Sequence, residues 1–247
     1  MGARAGGALA RPFGALTHVR ASTELEVGLD ASGASVLHRM RCEVPFLVRV
    51  DTAADELTLV IVNGAAGPLG GDDLHLSLVV ADGARVRVRS VAASMAQPGP
   101  LAQPSTTVTR LVVGEGAHLD WDLEPIISVR GSVHRARTTL DVAATGTATV
   151  AESVWLGRHD EEPGVLALRQ RVTLAGAAVL DHETVLGAHH RSHGAHGPWR
   201  WIRSVVTIAD DTPAQASATL ADGRADAVFP LAARCALATA TAASPPC

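Results

Sequence analysis

Between Asn63 and Gln97 the chain reads NGAAGPLGGDDLHLSLVVADGARVRVRSVAASMAQ. Apolar and polar residues alternate over Leu74–Leu78 and again over Arg85–Arg89. A period of two is typical of a β-strand with one buried face. The connection Ala81–Ala84 contains an Asp-Gly turn signal and predicts a hairpin between these two strands. The glycines and the proline before Asp72 predict a sharp turn, which this carboxylate braces through backbone hydrogen bonds.

Similar alternating segments recur along most of the chain. Predicted strands cover 24–29, 36–50, 57–62, 74–80, 85–91, 106–113, 134–142, 147–156, 165–174, 179–186 and 200–208. Regular strands with almost no helical periodicity indicate an all-β protein, and the pattern leaves a sandwich, a barrel and a solenoid open. Two stretches are predicted to be minor helices: Ala93–Leu101, briefly, and Ala225–Ala242, where the sequence is rich in alanine, which has a high helix propensity.

The sequence predicts one folded unit with short irregular ends. A hydrophobic fraction of 47% is typical of a globular protein, and the length of 247 residues permits one all-β domain or two smaller ones. The strand periodicity favours one, so we predict a single β domain over 21–243. The Ala/Gly-rich residues 1–20 are predicted to be disordered, and the tail 244–247 to be flexible. A net charge of −4 gives no basic surface for nucleic acid, and no window reaches the about 18 apolar residues of a membrane span. Three widely spaced cysteines argue against a disulfide framework and fit a cytoplasmic location.

Histidines are concentrated towards the end of the predicted strands. Five of the eleven lie within residues 182–196, and they are His182, His189, His190, His193 and His196. Imidazole suits nickel, copper and zinc, so these five residues are candidate ligands for weak, transient capture of a divalent cation. A solvated polar loop is the alternative, because no cysteine or carboxylate joins the last four histidines.

Four motifs in order carry a resemblance to a known family. They are Gly67–Asp72, Ser90–Met95, the tryptophan between acidic residues in Gly116–Ile127, and Glu152 followed by Gly157-Arg158. In these motifs the chain resembles the urease accessory protein UreD, called UreH in some organisms. Val91 and Met95 differ from the glutamine and lysine that the family carries at the second motif. The resemblance extends over roughly residues 25–186.

The resemblance implies a β-helix-like, solenoid stack of many short strands with one or two minor helices. It also implies a non-enzymatic scaffold that binds apo-urease and UreF, with UreG docked through UreF, and that routes Ni²⁺ to the urease active site. No tightly bound cofactor is implied, only transient Ni²⁺. A passage through the stack needs polar lining, and our candidates are Gly70, Gly71, Asp72, Asp120, Asp122, Glu124 and Glu152.

Two other functions fit parts of the sequence. A β-solenoid hydrolase acting on polysaccharide needs two carboxylates about 5–10 Å apart, for which Asp120, Asp122 and Glu152 are the candidates. Polysaccharide-binding sites are commonly lined with aromatic residues, whereas this chain is 3% aromatic and has no tyrosine. A metal-storage protein built on the histidines would bind Ni²⁺ or Zn²⁺ tightly and stoichiometrically. No catalytic motif with a nucleophile or metalloprotease pattern is present in the sequence.

Overall fold

The computed structural model describes residues 18–243, except for 52–53, 55, 101, 188–198, 214 and 222–223. Within these residues the chain forms β-strands and no helix. The strands are β1 Arg20–Leu29, β2 Ser35–Arg41, β3 Phe46–Asp51, β4 Thr58–Asn63, β5 Asp73–Val80, β6 Arg85–Ser90, β7 Ser94–Ala96, β8 Ser105–Val113, β9 His118–Asp122, β10 Ile126–Ser128, β11 Val133–Val142, β12 Thr147–Leu156, β13 Val165–Leu174, β14 Ala177–Leu186, β15 Trp201–Ile208, β16 Ser217–Ala221, β17 Arg224–Ala232 and β18 Cys235–Ala242.

The strands form two sheets that the chain visits in alternation. The first sheet has the order β14-β13-β11-β8-β5-β1-β2, and its strands β1, β5, β8, β11 and β13 run parallel. The second sheet has the order β16-β17-β18-β15-β12-β9-β6-β4-β3, with β4, β6, β9 and β12 parallel. Each coil takes one strand from each sheet, which gives a β-solenoid of about four turns. The predicted solenoid is therefore confirmed.

Antiparallel strands extend the solenoid at both ends. At the first end β2 pairs with β1 and β3 pairs with β4. At the other end β14 pairs with β13, and β15, β18, β17 and β16 continue the second sheet. A short parallel group, β7-β10, joins the last residues of β12.

The connection Ala81–Ala84 is a corner of the solenoid, so the predicted hairpin is wrong. It joins β5 in the first sheet to β6 in the second sheet, and these strands do not pair with each other. The equivalent corner at 114–117 stacks on it, since the Gly83 N–H donates to the Glu115 carbonyl at 2.8 Å and the Gly114 N–H donates to the Val80 carbonyl at 2.9 Å. The corner at 143–146 stacks in turn on that at 114–117. Alternation identifies a strand and its buried face, but it carries no information on which strand lies beside it.

Neither predicted helix is present in the described residues. Ala93–Leu101 contains the three-residue strand β7, and Ala225–Ala242 covers β18 and all of β17 except its first residue. Helix propensity differs among ordinary residues by less than about 1 kcal/mol each, so pairing can outweigh it. Here β18 pairs with β15 along its whole length, and Cys235 and Ala236 are buried in that arrangement.

The core lies between the inner faces of the two sheets. Its largest fully buried side chains include Leu78 of β5 and Leu111 of β8 from the first sheet, and Leu59 of β4 and Leu119 of β9 from the second. Trp121 joins this cluster with 3% of its surface exposed. In the part of the chain that the structure describes, no helix is long and apolar enough to cross a membrane.

Candidate functional site

A cavity of about 140 Å³, partly open to solvent, lies between the inner faces of the two sheets. Its walls combine apolar side chains such as Phe46, Leu76, Trp121 and Leu168 with polar ones. The polar lining residues are Asn63, Ser94, Thr107, Thr109, Glu124, His134, Thr138, Glu152 and Ser153. Among the described lining residues, the charged side chains are two glutamates and none is arginine. A cavity of this kind favours a cation over an anion.

A row of polar side chains continues from the cavity along the first sheet. The register aligns Thr109, Thr138, Gln170 and His182 on β8, β11, β13 and β14. Side chains at aligned positions of neighbouring strands point to the same face, and here that face is the interior of the solenoid. Gln170 is buried, and the Ser204 hydroxyl of β15 donates to its Oε1 at 3.2 Å. The interior is therefore polar along this row, although it is apolar on either side.

The Glu152 carboxyl group lies between the cavity and this row. The Thr138 hydroxyl donates to its Oε1, and the Gln170 side-chain amide donates to its Oε2 at 2.7 Å. Glu152 as a whole is half-buried, but protein atoms surround its carboxyl group. Burial raises the pKa of Glu152, and the two hydrogen bonds, both from neutral donors, offset only part of that rise. A cation that reaches this carboxyl group supplies the charge that its protein partners lack.

His134 is a second polar group in the cavity wall, and it was not a sequence-predicted site residue. Its side chain is completely buried, and its Nδ1 lies 2.9 Å from the Ser105 hydroxyl oxygen. Its Nε2 is buried without a hydrogen-bond partner in the described structure. Burial lowers its pKa from 6.5 to about 4, so the imidazole is neutral at neutral pH. The sequence could have indicated this residue, because the alternation of β11 places His134 on the inward face of the strand.

The glycine-rich turn before β5 is held by Asp72. Its Oδ1 accepts the Val19 N–H at 2.7 Å and its Oδ2 accepts the Leu69 N–H at 2.8 Å, while only 4% of the residue is exposed. At Gly70 a Cβ atom would lie 2.5 Å from the backbone nitrogen of Gly99 in the neighbouring connection between β7 and β8, and Gly71 has a φ of +98°. Gly70, Gly71 and Asp72 do not line the cavity. Two earlier residues of the same turn, Gly67 and Pro68, do line it.

Asp120 and Asp122 lie on the outer face of the second sheet. Because side chains alternate along β9, their side chains point to the face opposite to that of Trp121, whose side chain is in the core. Asp120 accepts from the Arg89 guanidinium at 2.5 Å, and Asp122 is held by both terminal nitrogens of Arg203 at 2.9 and 3.0 Å. Of the acidic residues predicted for the passage, Glu124 and Glu152 line the cavity.

This arrangement also bears on the hydrolase interpretation. Asp120 and Asp122 are ion-paired on the outer face of the second sheet, whereas Glu152 points to the inner face of the same sheet. The sheet thus separates Glu152 from the other two carboxylates.

The histidines predicted as cation ligands are only partly covered by the structure. His182 lies in β14 at the last position of the polar row, and its Nδ1 is buried with no hydrogen-bond partner in the described structure. His189, His190, His193 and His196 lie outside the described residues. Within the described ranges, no group of three or more His, Cys, Asp or Glu side chains is arranged to hold a metal ion.

Comparison with known proteins gives a consistent result. Residues 20–244 match the family described as UreD urease accessory protein. The chain is 34% identical over 234 residues to the urease accessory protein UreD of Streptomyces coelicolor (strain ATCC BAA-471 / A3(2) / M145), a match that covers 91% of this chain and 90% of that protein. It is 32% identical to UreD of Streptomyces avermitilis, with 91% of each chain covered. With UreD of Parafrankia sp. (strain EAN1pec) the identity is 41% over 157 residues, which is 63% of this chain and 53% of that protein.

Proposed function

Since this chain belongs to the UreD urease accessory protein family, we propose that it is a non-enzymatic scaffold for urease maturation that passes Ni²⁺ through its interior. In this proposal it binds apo-urease on one surface and UreF on another, with UreG docked through UreF, in the cytoplasm. The passage begins at the cavity between the two sheets. Transient Ni²⁺ is its cargo, and no cofactor is tightly bound.

The single observation that carries the passage is the charge of the cavity wall. Two glutamates, Glu124 and Glu152, are among the lining residues and no arginine is among those described, although arginines are common on the outer faces of the same sheets. Oxygen donors and one imidazole are groups that Ni²⁺ accepts. The cavity therefore attracts a divalent cation and excludes an anion.

The absence of a three-ligand cluster in the described residues suits a passage. A site with several fixed ligands holds its metal ion tightly and releases it slowly. Contacts with one side chain at a time bind weakly, so the ion can move on. We extend this proposal to the histidines at 182, 189, 190, 193 and 196 as transient, low-affinity contacts for the cation.

The proposed function is tested by reconstituting urease maturation. Urease subunits and the other accessory proteins from the same source are co-expressed with and without this chain, and nickel content and urea hydrolysis of the purified urease are measured. We expect nickel-poor, inactive urease when the chain is omitted. Equal nickel loading and activity in both preparations would refute the proposal.

A substitution separates the passage from the scaffold. Glu152→Gln replaces the carboxyl group inside the cavity with an amide of the same size, so we expect less nickel in urease while the complex with apo-urease still co-purifies. Glu183→Gln, on the exposed part of β14, is the matched control and is expected to match the unmodified chain. Full nickel loading by the Glu152→Gln chain would argue against a role for this carboxyl group.

A further inference from the structure

We propose that the buried imidazole of His134 is a contact point for a borderline divalent cation inside the cavity, separate from the Glu152 carboxyl group. The choice of Ni²⁺ as that cation rests on the proposed function. The existence of the contact point rests on the structure alone, and it can be tested with the isolated chain.

His134 and Glu152 lie at different positions along the cavity. Glu152 accepts a hydrogen bond from Thr138, which follows His134 by four residues on the same face of β11. With a rise of about 3.3 Å per residue, the Cα atoms of His134 and Thr138 are roughly 13 Å apart. Ala136 lies between them and leaves the cavity open at that point. The two groups are therefore successive contacts along one space, and each binds the ion by itself.

The surroundings of the imidazole suit it to metal binding. When Nδ1–H donates to the Ser105 hydroxyl oxygen, Nε2 keeps a lone pair that no protein group in the described structure uses, in a residue that lines the cavity. Histidine ligands in metal sites are commonly held in this way, with the second ring nitrogen donating to an oxygen. Because burial keeps the pKa of His134 near 4, protons do not compete for this lone pair at neutral pH.

The unsatisfied Nε2 requires a partner, because buried polar groups are nearly always paired. The side chains of Val154 and of Leu168, which is aligned with Ala136, line the same cavity and cannot accept or donate a hydrogen bond. Thr107 of β8, aligned with Ala136, adds a hydroxyl oxygen to the same part of the wall. A water molecule is the competing partner. The carboxyl group of Glu152, in a described lining that has no arginine, favours a cation in this space over a neutral occupant.

The test follows the cavity wall while the isolated full-length chain is titrated with NiCl₂. The chain carries ¹³C-labelled valine and leucine methyl groups, and paramagnetic broadening is recorded by NMR, with MgCl₂ as the diamagnetic and hard-cation control. We expect Ni²⁺ to broaden the methyl signals of Val154 and Leu168. This broadening is expected to be lost in His134→Gln and retained in His118→Gln, which removes a half-buried histidine from the outer face of the second sheet.

Two results would overturn the proposal. If the methyl signals of Val154 and Leu168 stay sharp in the unmodified chain, Ni²⁺ does not reach this part of the cavity and a water molecule is the partner of Nε2. If His134→Gln broadens as the unmodified chain does, the ion contacts other groups.

A second measurement does not depend on the variant being folded. In the unmodified chain labelled with ¹⁵N-histidine, added ZnCl₂ is expected to shift the Nε2 resonance of the buried imidazole, and an unchanged resonance would contradict the proposal. Failure here is distinct from failure of the proposed function, because the latter is judged by the nickel content of urease with and without the chain.

Discussion

Replacement of His134 by glutamine tests how completely the interior excludes a charged group. The pKa of His134 lies at about 4 in the folded chain and at 6.5 when the residue is free, because burial disfavours the imidazolium ion. Between these two values the unfolded chain binds a proton that the folded chain does not. The contribution of His134 to stability is therefore complete above pH 6.5 and is lost as the pH falls towards 4.

The size of the effect follows from the shift. At 1.36 kcal/mol for each pKa unit, the shift of His134 corresponds to roughly 3 kcal/mol of unfolding free energy. Glu152 acts in the opposite direction. Burial raises its pKa above the ordinary value of 4.5, so its contribution to stability declines as the pH rises from there. Comparing the unmodified chain with His134→Gln at each pH removes the contribution of Glu152 and isolates that of His134.

The assay is urea unfolding followed by tryptophan fluorescence, since Trp121 is buried in the folded chain. Curves are recorded at several values between pH 4.5 and 7.5 for the unmodified chain, for His134→Gln and for His159→Gln. His159 has a 96% exposed side chain and controls for the removal of a histidine. We expect the unfolding free energy of the unmodified chain to fall steadily, relative to that of His134→Gln, as the pH decreases below 6.5. A difference that does not change with pH would refute the burial of a neutral imidazole.

Four further substitutions probe the solenoid itself. Gly70→Ala is expected to cost about 1–3 kcal/mol by urea unfolding, because the added Cβ would meet backbone atoms across a packed turn; an unchanged midpoint would contradict that packing. Leu78→Ala, at a fully buried position of β5, is expected to cost about 2–5 kcal/mol. Val79→Ala, on the outer face of the same strand with 41% exposure, is expected to cost less than about 0.5 kcal/mol, and similar losses for both would refute the assigned faces. Arg203→Ala breaks the ion pair with Asp122, in which both side chains are about one-third exposed, so we expect the unfolding free energy to fall by no more than about 1 kcal/mol. A larger decrease in thermal unfolding would contradict this expectation.

Much of the strand pattern could be predicted from the sequence, because alternation records burial directly. The predicted segments 147–156 and 165–174 coincide with β12 and β13. Strand partners could not be predicted in the same way. The turn Ala81–Ala84 has the chemistry of a hairpin, yet the carbonyl and N–H groups of the next corner stack on it and direct the chain into the other sheet. Stacking of this kind depends on residues far apart in sequence.

The candidate site was only partly accessible to sequence reasoning for a related reason. Alternation around Trp121 shows that Asp120 and Asp122 share a face, but it does not state which face is internal. The buried tryptophan decides this, and it directs the two carboxylates outwards to arginine partners. The inward row of Thr138, Gln170 and His182 exists only through the register of three strands. Register is a property of the assembled sheet.

The central claim is that nickel passes through the interior cavity, and a pair of alanine substitutions tests it most directly. Ala136→Leu fills part of the cavity from β11, whereas Ala167→Leu makes the same change on the outer face of β13, beside Arg135. Each chain is co-expressed with the urease subunits and the other accessory proteins, and the nickel content of urease is measured. We predict nickel-poor urease with Ala136→Leu and normal urease with Ala167→Leu, while both chains still co-purify with apo-urease. Full nickel loading by the Ala136→Leu chain would contradict passage through this cavity.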